Sequence, residues 1–174
     1  MASLNRLVRG RIHAMSTMPA VGKTAPAFNL PSSTGRSISL DDYKGKQVVV
    51  LYFYPKADTP GCTKEACGFR DALAEYDRAK VAVLGISPDP EKAVTKFGSK
   101  FTLNFPLLAD EDHAISEKYG VWVEKSMYGR KYWGAARVTF VIGKDGKVLH
   151  VFEKVKPEGH DQEVLAWLKE HAAA

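Results

Sequence analysis

Two cysteines in 174 residues are too few for a disulfide framework of the kind that staples small secreted domains. Long apolar runs are missing too. The longest, residues 48–54, has seven members, far short of the ~18–20 that span a bilayer. No internal repeat or low-complexity linker breaks the chain. Its apolar (45%) and charged (26%) fractions sit near the globular average, which excludes general disorder. At this length a single domain can bury an adequate core. Acidic residues are absent before Asp41, although Arg6, Arg9, Arg11, Lys23 and Arg36 precede it. The formal charge is +5, but three of those charges fall in residues 1–17. What remains is nearly neutral and holds no Lys/Arg block interleaved with aromatics, so neither nucleic acid nor a membrane is expected as a partner.

The basic start carries its own signal. Read as a helix, residues 4–15 gather Leu4, Leu7, Val8, Ile12 and Met15 on one side. Arg6, Arg9 and His13 face the other way, with Arg11 intruding on the apolar face. An acid-free, arginine-bearing amphipathic start has the character of an organellar transit peptide and lacks the apolar core of a secretory signal. A flexible tail, or a start codon placed upstream of Met15 or Met18, also accounts for it. The expected organisation is therefore a basic tail or targeting segment over residues 1–17 and one domain over 18–174. A cytoplasmic location follows from the tail reading, and a mitochondrial or plastid one from the transit reading.

From residue 18 onward the periodicities predict an α/β domain. Residues 27–30 and 36–40, separated by Pro31-Ser-Ser-Thr-Gly35, read as a short hairpin. Residues 48–54, 81–86 and 138–142 are continuously apolar and suit central strands covered on both faces. Residues 148–155 come next across Gly143-Lys-Asp-Gly146 and pair antiparallel with 138–142. Helical patterns run from Pro60 to about Lys80, from Asp89-Pro90-Glu91 through Phe101, over 112–119, and over 161–171. In the second, Asp89 is expected to cap and Pro90 to open the helix. A hairpin, then βαβ, then ββα is a thioredoxin-like order, with a mixed central sheet and helices on both faces.

The informative stretch is Tyr54-Pro55-Lys-Ala-Asp-Thr59-Pro60-Gly61-Cys62-Thr-Lys-Glu-Ala-Cys67. It leaves the carboxyl end of the first core strand and enters the first helix, the usual ligand crevice of an open α/β sheet. Thr59 can cap that helix with Pro60 at its first position. Cys62 then falls in the first turn, where N–H groups and the helix dipole favour an anion. A thiolate is the nucleophilic form, so Cys62 is placed to react. Cys62, Ala66, Phe69, Leu73 and Tyr76 share one apolar face, with Cys67 about 140° around the axis. In a regular helix their Cα atoms lie ~8.5 Å apart, whereas a disulfide needs roughly 4.4–6.8 Å. Both could be inert buried thiols, but packing does not require a Pro-Gly-Cys cap at a strand end.

Other cysteine chemistries fit less well. The C-x₂-C spacing of thioredoxins and zinc ribbons is absent, and no histidine pair has zinc-ligand spacing. His13, His113, His150, His160 and His171 read as surface or satisfied core residues and not as bases for a cysteine nucleophile. A thioredoxin-type reductase also needs a proline ahead of its third core strand, and none lies between Pro106 and Pro157.

Pro55-x-x-x-Thr59-x-x-Cys62 resembles the active-site signature of the peroxiredoxins. Together with Cys67, the C-x₄-C string is similar to the bacterioferritin comigratory protein, or peroxiredoxin Q, subfamily. The resemblance spans about residues 20–170, with Arg137 matching the family's active-site arginine. The family's small hydroxyl residue after that arginine is replaced by Val138. What the resemblance implies is a thiol peroxidase without metal or cofactor that reduces hydrogen peroxide and organic hydroperoxides. Cys62 would be the peroxidatic thiolate and pass through a sulfenic acid. Thr59 would hold the peroxide, Arg137 would stabilise the thiolate and the leaving oxygen, and Pro55 would shield the sulfur. Cys67 would resolve the sulfenate as an intramolecular disulfide in a monomer, recycled by thioredoxin or glutaredoxin. Taken singly, Thr59 could be only a cap, Arg137 an ordinary ion-pair partner and Pro55 a strand terminator. Their concurrence around one cysteine argues against that. A redox-switched chaperone or binding protein using the same disulfide is the alternative.

Overall fold

Continuous apolar runs need cover on both faces, and the fold supplies it. The computed structural model describes residues 17–171, so the basic start, residues 1–16, lies outside it. The elements are β1 (Asn29–Pro31), β2 (Ser37–Ser39), β3 (Val48–Phe53), α1 (Pro60–Arg78), β4 (Val81–Ser87), α2 (Glu91–Lys100), β5 (Leu107–Ala109) and α3 (Ala114–Lys118). They continue with β6 (Trp122–Met127), β7 (Arg130–Ala135), β8 (Val138–Ile142), β9 (Val148–Phe152) and α4 (His160–His171). The central sheet has the order β5-β4-β3-β8-β9. Strands β3, β4 and β5 are parallel, while β8 is antiparallel to both β3 and β9.

Side chains of β3 alternate between two cores. Val50 and Tyr52 join Ala66, Phe69 and Tyr76 of α1, Phe97 of α2 and Leu165 of α4 on one face. Val49, Leu51 and Phe53 join Ile38 of the N-terminal hairpin and Ile115 of α3 on the other. Each fully buried side chain of this size contributes about 1.5–3 kcal/mol, which drives both layers onto the sheet. The thioredoxin-like arrangement is thus the observed one, with helices on both faces.

Three departures from the sequence reading bear on function. The edge strand β5 was not expected. Its three residues, all buried, are too few to show a periodicity. Residues 122–135, left without an element, form the separate antiparallel ribbon β6–β7. Its turn, Tyr128-Gly129, has positive φ at both residues (52° and 76°), as a two-residue hairpin requires, but a tyrosine there is not a turn signal. Third, Asp89 does not cap α2. Pro90 occupies the cap position, and the Asp89 carboxylate turns back to accept hydrogen bonds from the Ser87 hydroxyl and the Ala57 N–H, both 2.7 Å.

Candidate active site

The register of two neighbouring strands builds the site. Phe53 at the end of β3 lies opposite Val138 at the start of β8. The segment leaving β3 therefore meets the segment entering β8, and residues 54–62 come to face Arg137. The connecting loop is pinned twice. Asp89 holds the Ala57 N–H, and the Lys100 ammonium holds the Asp58 carboxylate at 2.8 Å. Asp58 itself adopts φ 61°, a left-handed conformation that aspartate tolerates.

Thr59 is the N-cap residue of α1 and Pro60 opens the helix, as the sequence implied. The Thr59 carbonyl accepts the first helical hydrogen bond, from Thr63 N–H at 2.9 Å. Its hydroxyl makes no cap bond and donates instead to the Lys56 carbonyl at 2.9 Å. Cys62 is buried in the first turn, on the face that also carries Ala66, Phe69 and Tyr76. Cys67 is half-buried, and both thiols are free. Pro55 is half-buried directly beyond β3.

Arg137 is the bridge. One guanidinium nitrogen, Nη2, donates to Cys62 Sγ at 3.4 Å, while Nη1 donates to Glu65 Oε1 at 3.0 Å. Gly61 permits this approach: a β-carbon there would stand 3.3 Å from Arg137 Nη2 and from Pro157. Burial works against the charge of Arg137, but the charges and hydrogen bonds of Glu65 and Cys62 outweigh it and raise its pKa. Glu65 has a fully buried side chain, and its second oxygen has no partner among the described residues. Burial pushes its carboxyl up to about 7 against the pull of Arg137. Beneath the site, burial also raises the Tyr52 and Tyr54 phenols.

The structure thus brings Cys62 and Arg137 into contact and sets Thr59 one turn before the sulfur. Cys67 lies further along the same helix. Glu65 was missed, because a glutamate in a helix reads as a solvated residue. Its signal was its place three residues after Cys62, on the same helical face. Val138, the departure noted beside Arg137, is buried in the sheet, and the nearby hydroxyl of Thr139 binds His160 at 2.7 Å. No described histidine hydrogen-bonds to Cys62, and no cluster able to hold a metal ion occurs among the described residues.

Residues 21–151 match the AhpC/TSA family. The chain belongs to that family. Peroxiredoxin Bcp of Escherichia coli K12 is 51% identical over 151 residues, which cover 87% of this chain and 96% of that protein. A mutant of Xylella fastidiosa PrxQ superposes with a TM-score of 0.83 at 35% identity, over 88% of this chain and 98% of that one. The Xanthomonas campestris bacterioferritin comigratory protein, studied for its alkyl peroxide reduction activity, superposes with a TM-score of 0.78 at 40% identity, covering 83% and 92% of the two chains. This peroxiredoxin is a thiol-dependent peroxidase, an oxidoreductase that needs a hydroperoxide and a reductant. The switch-only chaperone reading finds no support among these relatives.

Proposed function

We propose that this peroxiredoxin reduces hydrogen peroxide and organic hydroperoxides through Cys62, resolves the product with Cys67 as an intramolecular disulfide, and is recycled as a monomer by thioredoxin. The role is antioxidant defence. The carrying observation is the 3.4 Å contact of Arg137 Nη2 with Cys62 Sγ at the first turn of α1.

The Cys62 thiolate attacks one peroxide oxygen. As the S–O bond forms the O–O bond breaks, and the second oxygen departs as hydroxide or alkoxide and takes a proton from water. Arg137 faces the sulfur and offers its charge to the negative charge that moves from sulfur to oxygen. The Thr59 hydroxyl has spent its hydrogen on Lys56, so its oxygen is left to accept the peroxide O–H. Pro55 keeps bulk water from the sulfur. Cys67, as thiolate, then attacks the sulfenic sulfur. The S–S bond forms as the S–O bond breaks, and the departing hydroxide takes up a proton to leave as water. Because both cysteines sit inside the continuous helix α1, residues 62–67 must unwind first. Thioredoxin returns two electrons and two protons, regenerating both thiols.

The test is stoichiometric. One equivalent of hydrogen peroxide should consume both thiols of each chain without cross-linking chains, and thioredoxin should restore them. Cys62→Ser should show no turnover, and Cys67→Ser should stop at the sulfenate. Normal turnover by Cys62→Ser would overturn the assignment, and covalent dimers would overturn the intramolecular step.

A further inference from the structure

The β6–β7 hairpin carries a second cation toward the site. Its register pairs Lys125 with Tyr132 and Val123 with Gly134. The Lys125 stem crosses Gly134, where a β-carbon would meet its Cδ and Cε at 3.6 and 3.7 Å. That path brings Nζ to the carbonyl oxygen of Ala135, 2.6 Å away. Ala135 ends β7 two residues before Arg137, whose guanidinium holds the Cys62 sulfur.

Lys125 is half-buried, yet no carboxylate pairs with it among the described residues. Its hairpin neighbour Lys131 does face one, Glu124, at 3.6 Å. A half-buried ammonium normally finds a carboxylate or snorkels to water, because its desolvation is costly. Here it is held near another cation instead. Burial and the charge of Arg137 lower the Lys125 pKa, while negative charge on Cys62 raises it. Of these two neighbouring cations only Arg137 is paired with a carboxylate, Glu65, so the pair calls for a further anion, and the reaction supplies one.

We propose that Lys125 is a second cation of the peroxide site, sharing with Arg137 the negative charge on the Cys62 sulfur and the departing oxygen. This rests on Cys62 being the peroxidatic thiol. Ala135 occupies one of the three ammonium hydrogens, leaving two for an anionic oxygen. Lys125 acts on that charge through its field, keeps its protons and forms no covalent bond.

The ionisable groups around the sulfur are Arg137, which contacts it, Glu65 on its own helix, Tyr52 of β3, Tyr54 just beyond that strand, and Lys125 on the hairpin. The experiment isolates the lysine from the rest. In a Cys67→Ser background, the rate of Cys62 alkylation by iodoacetamide is tracked against pH for Lys125, Lys125→Met and Lys125→Arg, beside single-turnover peroxide reduction. Lys125→Met should move the alkylation midpoint up by about half a pH unit or more and slow peroxide reduction about tenfold. Lys125→Arg should restore most of both. An alkylation profile in Lys125→Met that matches the parent overturns the proposal, whatever happens to the rate, since a purely structural role would leave that profile unmoved. Alkylation reads the sulfur without peroxide, so peroxide turnover by Cys62→Ser would overturn Cys62 as the peroxidatic thiol and leave the alkylation result separately legible.

Discussion

One guanidinium joins the parts of the site, and its two nitrogens do different work. Nη1 is anchored by Glu65 and Nη2 reaches the Cys62 sulfur. A lysine at 137 keeps the charge but presents one ammonium in place of a planar fork, so it cannot hold both partners in the same geometry. Arg137→Lys should lower single-turnover peroxide reduction about 10²–10³-fold, measured by stopped flow, with the fold unchanged by circular dichroism. Glu65 tunes the same group. Its carboxyl, pushed up to about 7 by burial, is neutral below that pH and leaves the guanidinium charge to the sulfur. Above it the carboxylate takes a share. The rate profile should therefore bend downward as pH rises through about 7, and Glu65→Gln, which keeps an acceptor oxygen without the charge, should lose that bend.

At the scale of the element, the proposed resolution by Cys67 makes α1 both scaffold and moving part. Gly68 suggests a helix made easy to unwind, since glycine is a weak helix former. Its packing gives a second reason for it. A β-carbon at 68 would stand 2.6 Å from Asp161 Oδ1, so glycine leaves room for the Asp161 side chain at the first turn of α4. The Tyr76 hydroxyl secures the same junction by donating to the Asp161 carbonyl at 2.8 Å. Gly68→Ala should turn the Asp161 carboxylate aside and change stability by less than about 1 kcal/mol, because alanine's higher helix propensity offsets the crowding; a urea midpoint close to the parent's is the expected reading. Formation of the disulfide should in turn expose the amides of residues 62–68 to hydrogen exchange while those of β3 stay protected. The β6–β7 ribbon is the exposed counterpart. Among the described residues, four of the six exposed large hydrophobic side chains (Met127, Tyr128, Tyr132 and Trp133) lie on it.

Across the whole molecule, His160 ties the first turn of α4 to β8 through Thr139, inside an aromatic shell of Phe69 and Phe152. Burial lowers its pKa to about 4, with Arg137 adding to the effect and Asp161 opposing it. In the unfolded chain it would titrate near the ordinary 6.5. Above pH 6.5 both states are neutral and the fold keeps its full stability. As pH falls from 6.5 to 4 the unfolded chain takes up a proton that the native chain refuses, and stability drops. The loss should reach about 3 kcal/mol. Urea midpoints between pH 7 and 4 measure it, and a His160 resonance in the folded protein titrating near 6.5 would contradict it.

The local, contiguous features were legible in the sequence. Residues 55–67 lie in one run, so the strand end, the cap and the cysteine in the first turn could be read from spacing and elementary helix geometry. The apolar strands and the N-terminal hairpin were readable because burial on both faces, or a Pro- and Gly-bearing turn, leaves a compositional mark. β5 was too short to leave one, and the exposed β6–β7 ribbon mixes aromatic with charged residues and has no buried apolar face to announce it. Asp89 has the residue type of a helix cap, yet the Ala57 N–H, 32 positions away in the chain, decided its use. Glu65 and Lys125 differ from ordinary surface charges only in what surrounds them. The sequence by itself determined which cysteine could react and on which helix. Only the tertiary structure decided which charges face it, because burial and the antiparallel register of β3 with β8 are set by the packing of segments far apart in the chain.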